Sequence, residues 1–338
     1  MLVIQGIALS LWIEVITSLY VLYSVKKWNT KKYKTIAFFC WVPCFILLLL
    51  VPDFCFNKDD QIVAYIFCYA VVSWWSSFKA LAVLLGQQPL QNASTLSLLL
   101  WMWFPLTMND NLDKEKVSET TSQFLSRFAL KLVLVWGFVN SLVFIPSSLI
   151  CHIIYAFLLY LFCSLLLDLC AAICKPWFPL DIHFDKPFLS NSLSDFWSRR
   201  WNVQAAKTLY YTVYLSICPN NQRYPQWRKL VAVISTFMVS GIMHELLLFR
   251  INGTVTGHWF IFFSLHGFLL VIEKIGKKMM FRCSGMFGSI FGRIWCLCLL
   301  IITSEYFFWR PIIDSGLVAK AVSLFAIDEK HLERYLKR

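Results

Sequence analysis

The amino-acid sequence predicts an all-α, polytopic membrane protein that forms one domain over residues 1–338. Hydrophobic residues make up 59% of the chain and charged residues 15%, whereas soluble domains have about half and about a quarter. The mean hydropathy is +0.63. Aromatic residues reach 17%, which suits a protein that crosses both the hydrocarbon and the headgroup layers of a bilayer. The long apolar runs argue against a soluble helical enzyme.

The apolar runs predict about eight or nine transmembrane helices, because a span needs about 20 mostly apolar residues. The stretch 96–108 is short for a span and could be re-entrant or tilted. The first stretch is too long for a signal peptide and lacks a clean cleavage site, so we expect it to be kept as a span. The eight stretches of sufficient length are 2–25, 35–56, 62–85, 128–150, 153–173, 230–249, 258–275 and 290–308.

Basic residues outnumber acidic ones, 31 to 19, and the formal net charge is +12. They cluster in short loops, which predicts cytoplasmic loops and contact with anionic headgroups of membrane lipids. The excess also suits an anionic, phosphorylated cosubstrate. Nucleic acid is excluded as a partner, because the clusters lie between hydrophobic spans and form no soluble module. The clusters are Lys26, Lys27, Lys31, Lys32 and Lys34; Arg223, Arg228 and Lys229; and Lys274, Lys277, Lys278 and Arg282.

The 12 cysteines fall mostly inside apolar runs and form no pair of CxxC elements. They are typical of small buried hydrophobic residues. We therefore expect neither a metal site nor a disulfide framework.

The segment 192–218, SLSDFWSRRWNVQAAKTLYYTVYLSIC, is too polar to span lipid and too aromatic for a free loop. A serine cap followed by Asp195 predicts a helix start. Aromatic residues then alternate with Arg199, Arg200 and Asn202, which favours an interfacial or partly inserted helix. One interpretation is an aromatic-belt helix with arginines on lipid phosphates. The carboxamide of Asn202 favours a second, a binding surface for an anionic carrier and a polarised carbonyl.

A second polar feature lies inside a predicted span, in VSGIMHELLLF at 239–249. The imidazole of His244 could simply hydrogen-bond between helices. An ionisable group inside a membrane is nevertheless a functional-site candidate by default, because its desolvation must be offset. Ser240 and Gly241 lie one turn back on nearly the same face. Glu245 points about 100° away, so it is not assumed to be a partner.

Other polar residues in the predicted spans are weaker candidates. Glu14, Lys79, Asp168 and Glu305 could pair with one another or line a cavity, and His266 and Glu273 could face His244.

The motif SLSDFWSRRWN at 192–202, followed by VSGIMHELLLF, resembles the plant-type wax synthases. These are long-chain-alcohol O-fatty-acyltransferases of the membrane-bound O-acyltransferase superfamily. The preceding FDKPFLSNSLSDFW and the later LHG at 265–267 fit the same pattern. The resemblance is strongest over 182–273, which we expect to be the catalytic core. The N-terminal half agrees mainly in hydropathy.

The resemblance implies helices around a reaction chamber in the membrane, usually that of the endoplasmic reticulum. The motif asparagine corresponds to Asn202 and the buried histidine to His244. The implied reaction is transfer of a fatty acyl group from acyl-CoA to a lipophilic alcohol from the bilayer. We expect a long-chain fatty alcohol, and hence a wax ester; members that use a sterol or diacylglycerol leave two alternatives open.

The residue types support this chemistry. A hydroxyl needs a general base near neutrality to attack a thioester, and neutral imidazole serves, so we expect His244 to take the alcohol proton. Asn202 would donate an amide N–H to the developing oxyanion or orient the thioester. No covalent acyl-enzyme, metal or cofactor is expected, with acyl-CoA as cosubstrate.

We expect acyl-CoA to bind along the motif. Lys186, Arg199, Arg200 and Lys207 would meet its phosphates, and Trp197 and Trp201 would line the same site. The alternative from another class is a lipid transporter or scaffold, which predicts inverted repeats or paired broken helices. The sequence has neither.

Overall fold

The computed structural model describes residues 3–89, 94–105, 120–145, 148–174, 183–220, 222–280 and 286–323. Their regular structure is helical throughout, with no strand in these ranges. Several predicted features fall partly outside them. These are residue 2 of the first span, residues 106–108, 146–147 and 182, Arg282, and the side chains of Lys277 and Lys278.

Eight helices in the described ranges are long and apolar enough to cross a membrane, and each overlaps one of the eight predicted spans. The prediction of an all-α, multi-pass membrane protein is confirmed. The spans are Val3–Trp28, Lys34–Cys55, Ile62–Leu84, Thr121–Ser141, Ser148–Cys174, Gln226–Asn252, His258–Gly276 and Ile290–Phe307. The last two belong to the longer helices His258–Met280 and Met286–Phe307, which the short helices Trp309–Asp314 and Leu317–Ser323 follow.

The fourth span lies earlier than its predicted range, 128–150. Its helix begins after Thr120, which forms a capping box with Gln123, and it ends at Ser141. A short 3-10 turn, Leu142–Phe144, follows, and Ile145 is extended with φ −102° and ψ 112°. Ile145 precedes Pro146, and a residue before proline is driven out of the helical region. The predicted C-terminal end was therefore wrong.

The short segment 96–108 contains a helix of nine residues, Thr95–Trp103, which is too short to span. Ser94 caps its start. Its end is held by Lys79, whose side chain is 1% exposed. Its Nζ donates to the carbonyl oxygens of Trp101 at 2.8 Å and Phe104 at 2.6 Å. The buried amino group thus satisfies carbonyl groups that a helix C-terminus leaves without partners.

The third span is not a regular α-helix. α-Helical ends, Ile62–Cys68 and Ser77–Leu84, flank a π-helix at Tyr69–Ser76. Such insertions frequently occur at functional sites. The hydroxyl of Tyr69 donates to the carbonyl of Met243 at 3.0 Å, so the π-helix is bonded to the helix that carries His244.

That helix, Gln226–Asn252, is here called the histidine helix, and it packs closely on His258–Met280, the hairpin helix. Glycine permits the approach at two points. A Cβ at Gly241 would lie 3.0 Å from the Cα of Phe260, and one at Gly267 would lie 2.9 Å from the Cβ of Phe237. The hairpin brings aromatic residues of the second helix against His244.

Candidate active site

The predicted interfacial helix is two helical pieces separated by a corner. Leu193–Asp195 and a π-helical turn, Phe196–Arg200, precede the corner. Val203–Leu209 follows it and continues through a second π-helical turn, Tyr210–Tyr214, into Leu215–Ile217. The prediction of a single interfacial helix was therefore wrong.

Asn202 forms the corner. Its backbone is left-handed, with φ 42° and ψ 59°, a conformation that asparagine tolerates better than most residues. Its side-chain Oδ1 accepts from the backbone N–H of Ala205 at 3.2 Å and so caps the following helix. The oxygen of the carboxamide is thereby occupied, and Nδ2 is the atom able to donate to a substrate. The prediction of a donor role rests on that nitrogen.

The two motif arginines have different surroundings. Arg200 is 22% exposed, and its Nε donates to the Asp195 carboxylate at 2.7 Å. Its Nη1 donates to the carbonyl of Asp185 at 3.1 Å, so its charge is paired within the protein and braces the corner. Arg199 is 78% exposed and lies 3.8 Å from Asp195. Arg199 is therefore the better placed of the two to meet a phosphate.

The motif tryptophans also diverge. Trp201 stacks on Phe196 with ring centroids 5.5 Å apart and meets Phe184 edge-on at 5.3 Å. Trp197 contacts residues of the hairpin helix, including Phe263 at 5.8 Å and His266 at 5.4 Å. Trp197 thus belongs to the wall that also holds His244, whereas Trp201 packs within the motif. The third motif cation, Lys207, is partly buried on the helix that Asn202 caps.

His244 has a defined tautomer. Its Nδ1 lies 2.8 Å from the carbonyl oxygen of Ser240, four residues back on the same helix. A carbonyl can only accept, so Nδ1 carries the proton and Nε2 presents a lone pair. The side chain is only partly buried. An accessible nitrogen lone pair is what a general base requires.

Three aromatic rings surround the imidazole. Phe263 stacks on it with centroids 4.1 Å apart. Trp259 lies edge-on at 5.6 Å, and Trp74 lies edge-on at 4.6 Å with an interplanar angle of 85°. Trp74 comes from the π-helix of the third span. Sequence reasoning missed these three rings, because no local pattern separates them from the chain's other aromatics.

Glu245 is not a partner of His244, as its direction on the helix predicted. Its carboxylate is buried and accepts from the loop and first turn of the hairpin helix. The donors are Thr256 N (2.7 Å), Thr256 Oγ1 (3.0 Å), Gly257 N (2.5 Å), Trp259 N (3.1 Å) and Phe260 N (3.4 Å). Glu245 therefore caps that helix and closes the hairpin.

His266 and Glu273 face the motif segment rather than His244. His266 is fully buried, donates from Nδ1 to the carbonyl of Phe262 at 2.9 Å and meets Thr303 Oγ1 through Nε2 at 3.3 Å. Glu273 accepts from the backbone N–H of Leu193 at 2.8 Å. Both residues position the motif.

The other intramembrane acids have partners elsewhere. Asp168 pairs with Arg127 and Lys131, each at 2.5 Å, and Glu305 meets His152 at 2.5 Å. Glu14 accepts from Ser76 at 2.5 Å and lines a small cavity with Thr17 and Ser18. These partners lie outside the set that was predicted to pair with one another, whereas Glu14 lines a cavity, as predicted.

Asn202 and His244 are not in direct contact. No hydrogen bond or ring contact within the described part of the chain joins them. An aromatic path joins Trp197 of the motif to His244 through Phe263, with steps of 5.8 Å and 4.1 Å. The arrangement is a continuous wall with a base at one end and the motif corner beyond the other.

A family model described as "Membrane bound O-acyl transferase family" matches residues 180–265, which include Asn202, Trp197, Phe263 and His244. The Acyl-CoA--sterol O-acyltransferase 1 of Arabidopsis thaliana is 26% identical over 332 residues, 93% of each chain. The Long-chain-alcohol O-fatty-acyltransferase of Simmondsia chinensis is 28% identical over 283 residues, 78% of each chain. The central part of the chain therefore matches the membrane-bound O-acyltransferase family, and the whole chain is similar to acyltransferases of plants.

A third relative, Probable long-chain-alcohol O-fatty-acyltransferase 8 of Arabidopsis thaliana, is 32% identical over 182 residues, 52% of each chain. The relatives' names include both sterol and long-chain-alcohol acyltransferases, so these similarities leave the acceptor open. Trp74, the third ring around His244, lies outside the stretch that the family model matches.

Proposed function

We propose that this membrane-bound O-acyltransferase transfers a fatty acyl group from acyl-CoA to a long-chain fatty alcohol that enters from the bilayer, forming a wax ester. One observation carries the proposal. His244 lies in a membrane-spanning helix, its Nδ1 is engaged by the Ser240 carbonyl, and its Nε2 is left as a base. The endoplasmic reticulum is the proposed membrane.

The proposed reaction proceeds without a covalent acyl-enzyme. Nε2 of His244 accepts the proton of the alcohol as its oxygen attacks the thioester carbon. The tetrahedral intermediate then expels the thiolate of CoA, which takes the proton from His244. The products are the ester and free CoA. The step requires no metal or further cofactor.

The three aromatic rings around His244 support this mechanism. Rings of Phe263, Trp74 and Trp259 around His244 exclude bulk water while accepting acyl and alkyl chains. Exclusion of water limits hydrolysis of the thioester.

On the donor side we propose that Arg199 and Lys207 bind the phosphates of acyl-CoA. Arg199 is the exposed cation of the motif, while Arg200 is committed to Asp195. Trp197 would line the path of the acyl thioester toward His244, and Trp201 would act by holding the motif.

A sterol is the second candidate acceptor. The relative named Acyl-CoA--sterol O-acyltransferase 1 aligns over 93% of the chain, a larger share than the Simmondsia chinensis relative. The fatty alcohol remains our first proposal, because most of the named relatives are long-chain-alcohol acyltransferases.

The test is a single-turnover assay in microsomes with labelled acyl-CoA and, in competition, a long-chain alcohol, a sterol and diacylglycerol. We expect labelled wax ester as the main product. A main product of sterol ester or triacylglycerol would replace the proposed acceptor. No ester from any acceptor would favour the transporter or scaffold alternative.

His244→Ala should abolish ester formation while leaving insertion and folding intact, since no other described group replaces the base at that position. His152→Gln is the matched control: it removes an imidazole bonded to Glu305, away from the aromatic wall. Retention of more than a small fraction of turnover in His244→Ala would remove His244 as the base.

A further inference from the structure

Among the rings around His244, one carries an uncommitted polar hydrogen. Phe263 has none to offer. Trp259 donates its indole N–H to the carbonyl of Phe308 at 3.0 Å. Trp74 is 8% exposed, and its Nε1 is buried without a hydrogen-bond partner among the described residues.

A buried indole N–H usually finds a partner, because an unpaired one has lost its hydrogen bonds to water without replacement. The indole N–H of Trp74 makes no hydrogen bond to any described residue. Its ring packs with Met243 and Leu209. Its position against the base suggests that the partner arrives with the substrate.

The geometry limits what that partner can be. The centroids of the Trp74 and His244 rings are 4.6 Å apart. Hydrogen bonds span about 3 Å, so the two rings can serve neighbouring oxygens of one reacting pair. Donation to the attacking hydroxyl would withdraw the electrons it needs for attack. Donation to the thioester carbonyl stabilises the charge that develops there.

We infer that Trp74 is a catalytic residue that donates its indole N–H to the carbonyl oxygen of the acyl thioester beside His244. The inference rests on the proposed function and adds a donor from the N-terminal half, outside the stretch that the family model matches. Trp197 also has a buried Nε1 without a partner among the described residues. Its ring contacts Phe263 and, in the described ranges, not the imidazole of His244. Trp74 is the nearer donor.

The chain supplies a matched control in the next residue. Trp75 is on the same π-helix, is also 8% exposed, and likewise has a buried Nε1 without a partner in the described ranges. Its ring packs with Val71 and Leu167 instead. Trp74→Phe and Trp75→Phe therefore remove the same N–H and similar packing at adjacent positions, and only the first lies at His244.

We expect Trp74→Phe to lower kcat by about 10²- to 10³-fold with little change in either KM, which is the effect of removing one oxyanion donor. Trp75→Phe should stay within a few fold once folded enzyme is counted. Equal losses in the two variants, or wild-type kcat in Trp74→Phe, would overturn the inference. If Trp74→Phe fails to fold, the benzothienyl analogue of tryptophan at position 74 keeps the ring shape without the N–H, and retained kcat there is equally decisive.

A spectroscopic measurement separates this inference from the proposed function. Infrared difference spectra of bound acyl-CoA with a ¹³C-labelled thioester carbonyl report hydrogen bonding directly. The carbonyl band should move to higher frequency in Trp74→Phe and not in Trp75→Phe; an unmoved band in both rejects the donor. If the band shifts in Trp74→Phe but the protein acylates no alcohol, the proposed function is rejected and the donor role of Trp74 is retained.

Discussion

Replacing Glu245 with glutamine should destabilise the helical hairpin and leave the chemistry at the adjacent His244 nearly unchanged. In the sequence the two residues look like an acid–base pair. In the structure the carboxylate caps the hairpin helix, and one of its oxygens, Oε2, accepts from the backbone N–H groups of Trp259 and Phe260 at 3.1 Å and 3.4 Å. Glu245→Gln tests whether Glu245 acts as an acid–base partner of His244 or as the cap of the hairpin helix.

The magnitude follows from which bonds a carboxamide can keep. Its single oxygen can retain the three bonds of Oε1, to Thr256 N, Thr256 Oγ1 and Gly257 N. Its NH₂ group would replace Oε2 and face two N–H donors. Hydrogen bonds to charged groups contribute about 1.5–3 kcal/mol each, and the lost negative charge at a helix N-terminus adds about 0.3–1 kcal/mol. Since the 3.4 Å bond is long, we expect a loss of about 3 kcal/mol in the free energy of unfolding.

The assay is thermal unfolding of the purified protein in detergent, together with turnover well below the transition. The Tm should fall by roughly 4 °C, and kcat per folded molecule should stay within a few fold. Glu245→Ala removes all five bonds and should cost more. Glu305→Gln serves as the control, because Glu305 is 31% exposed and bonds to His152. Its Tm shift should be smaller and gives the reference value for the loss of a less buried carboxylate. An unchanged Tm with kcat reduced about 100-fold in Glu245→Gln would place Glu245 in the chemistry and refute the capping argument.

The motif residues provide three further predictions. Asn202→Asp keeps a capping oxygen and tolerates the left-handed backbone but removes the amide N–H, so a turnover loss of about 10²-fold with little change in Tm would identify a donor; wild-type turnover would reduce Asn202 to a cap. Arg199→Gln should raise the KM for acyl-CoA by roughly 10-fold at low salt, less at high salt, with the alcohol KM unchanged. Arg200→Gln should instead lower Tm, because it removes the close charged partner of Asp195. A donor KM effect confined to Arg200→Gln would reverse the two assignments.

The geometry of the motif explains why the sequence did not separate its two arginines. Arg199 stands four residues after Asp195, the spacing at which α-helical residues meet, yet it lies 3.8 Å away and is exposed. Arg200, five residues after, makes the close pair. The π-helical turn Phe196–Arg200 changes the spacing that brings side chains to one face.

The sequence by itself determined the fold class and the approximate positions of the eight spans, and it marked Asn202 and His244 as candidates. The spans follow from the lengths of apolar runs, and His244 stands out as an ionisable group where burial is costly. Asn202 stands out as a carboxamide among the arginines and aromatic residues of the motif. The direction of Glu245 away from His244 was also predictable, because helical geometry is local.

Only the tertiary structure decided what those groups contact. Trp74 meets His244, and Tyr69 bonds Met243, across 174 residues of sequence. Such pairings depend on which helices pack together, and the many aromatic residues of the chain make equally apolar surfaces. The fold buries the indole N–H of Trp74 beside His244, bonds that of Trp259 to the carbonyl of Phe308, and turns Trp75 toward a different cluster. These distinct roles arise only from the packing of the helices.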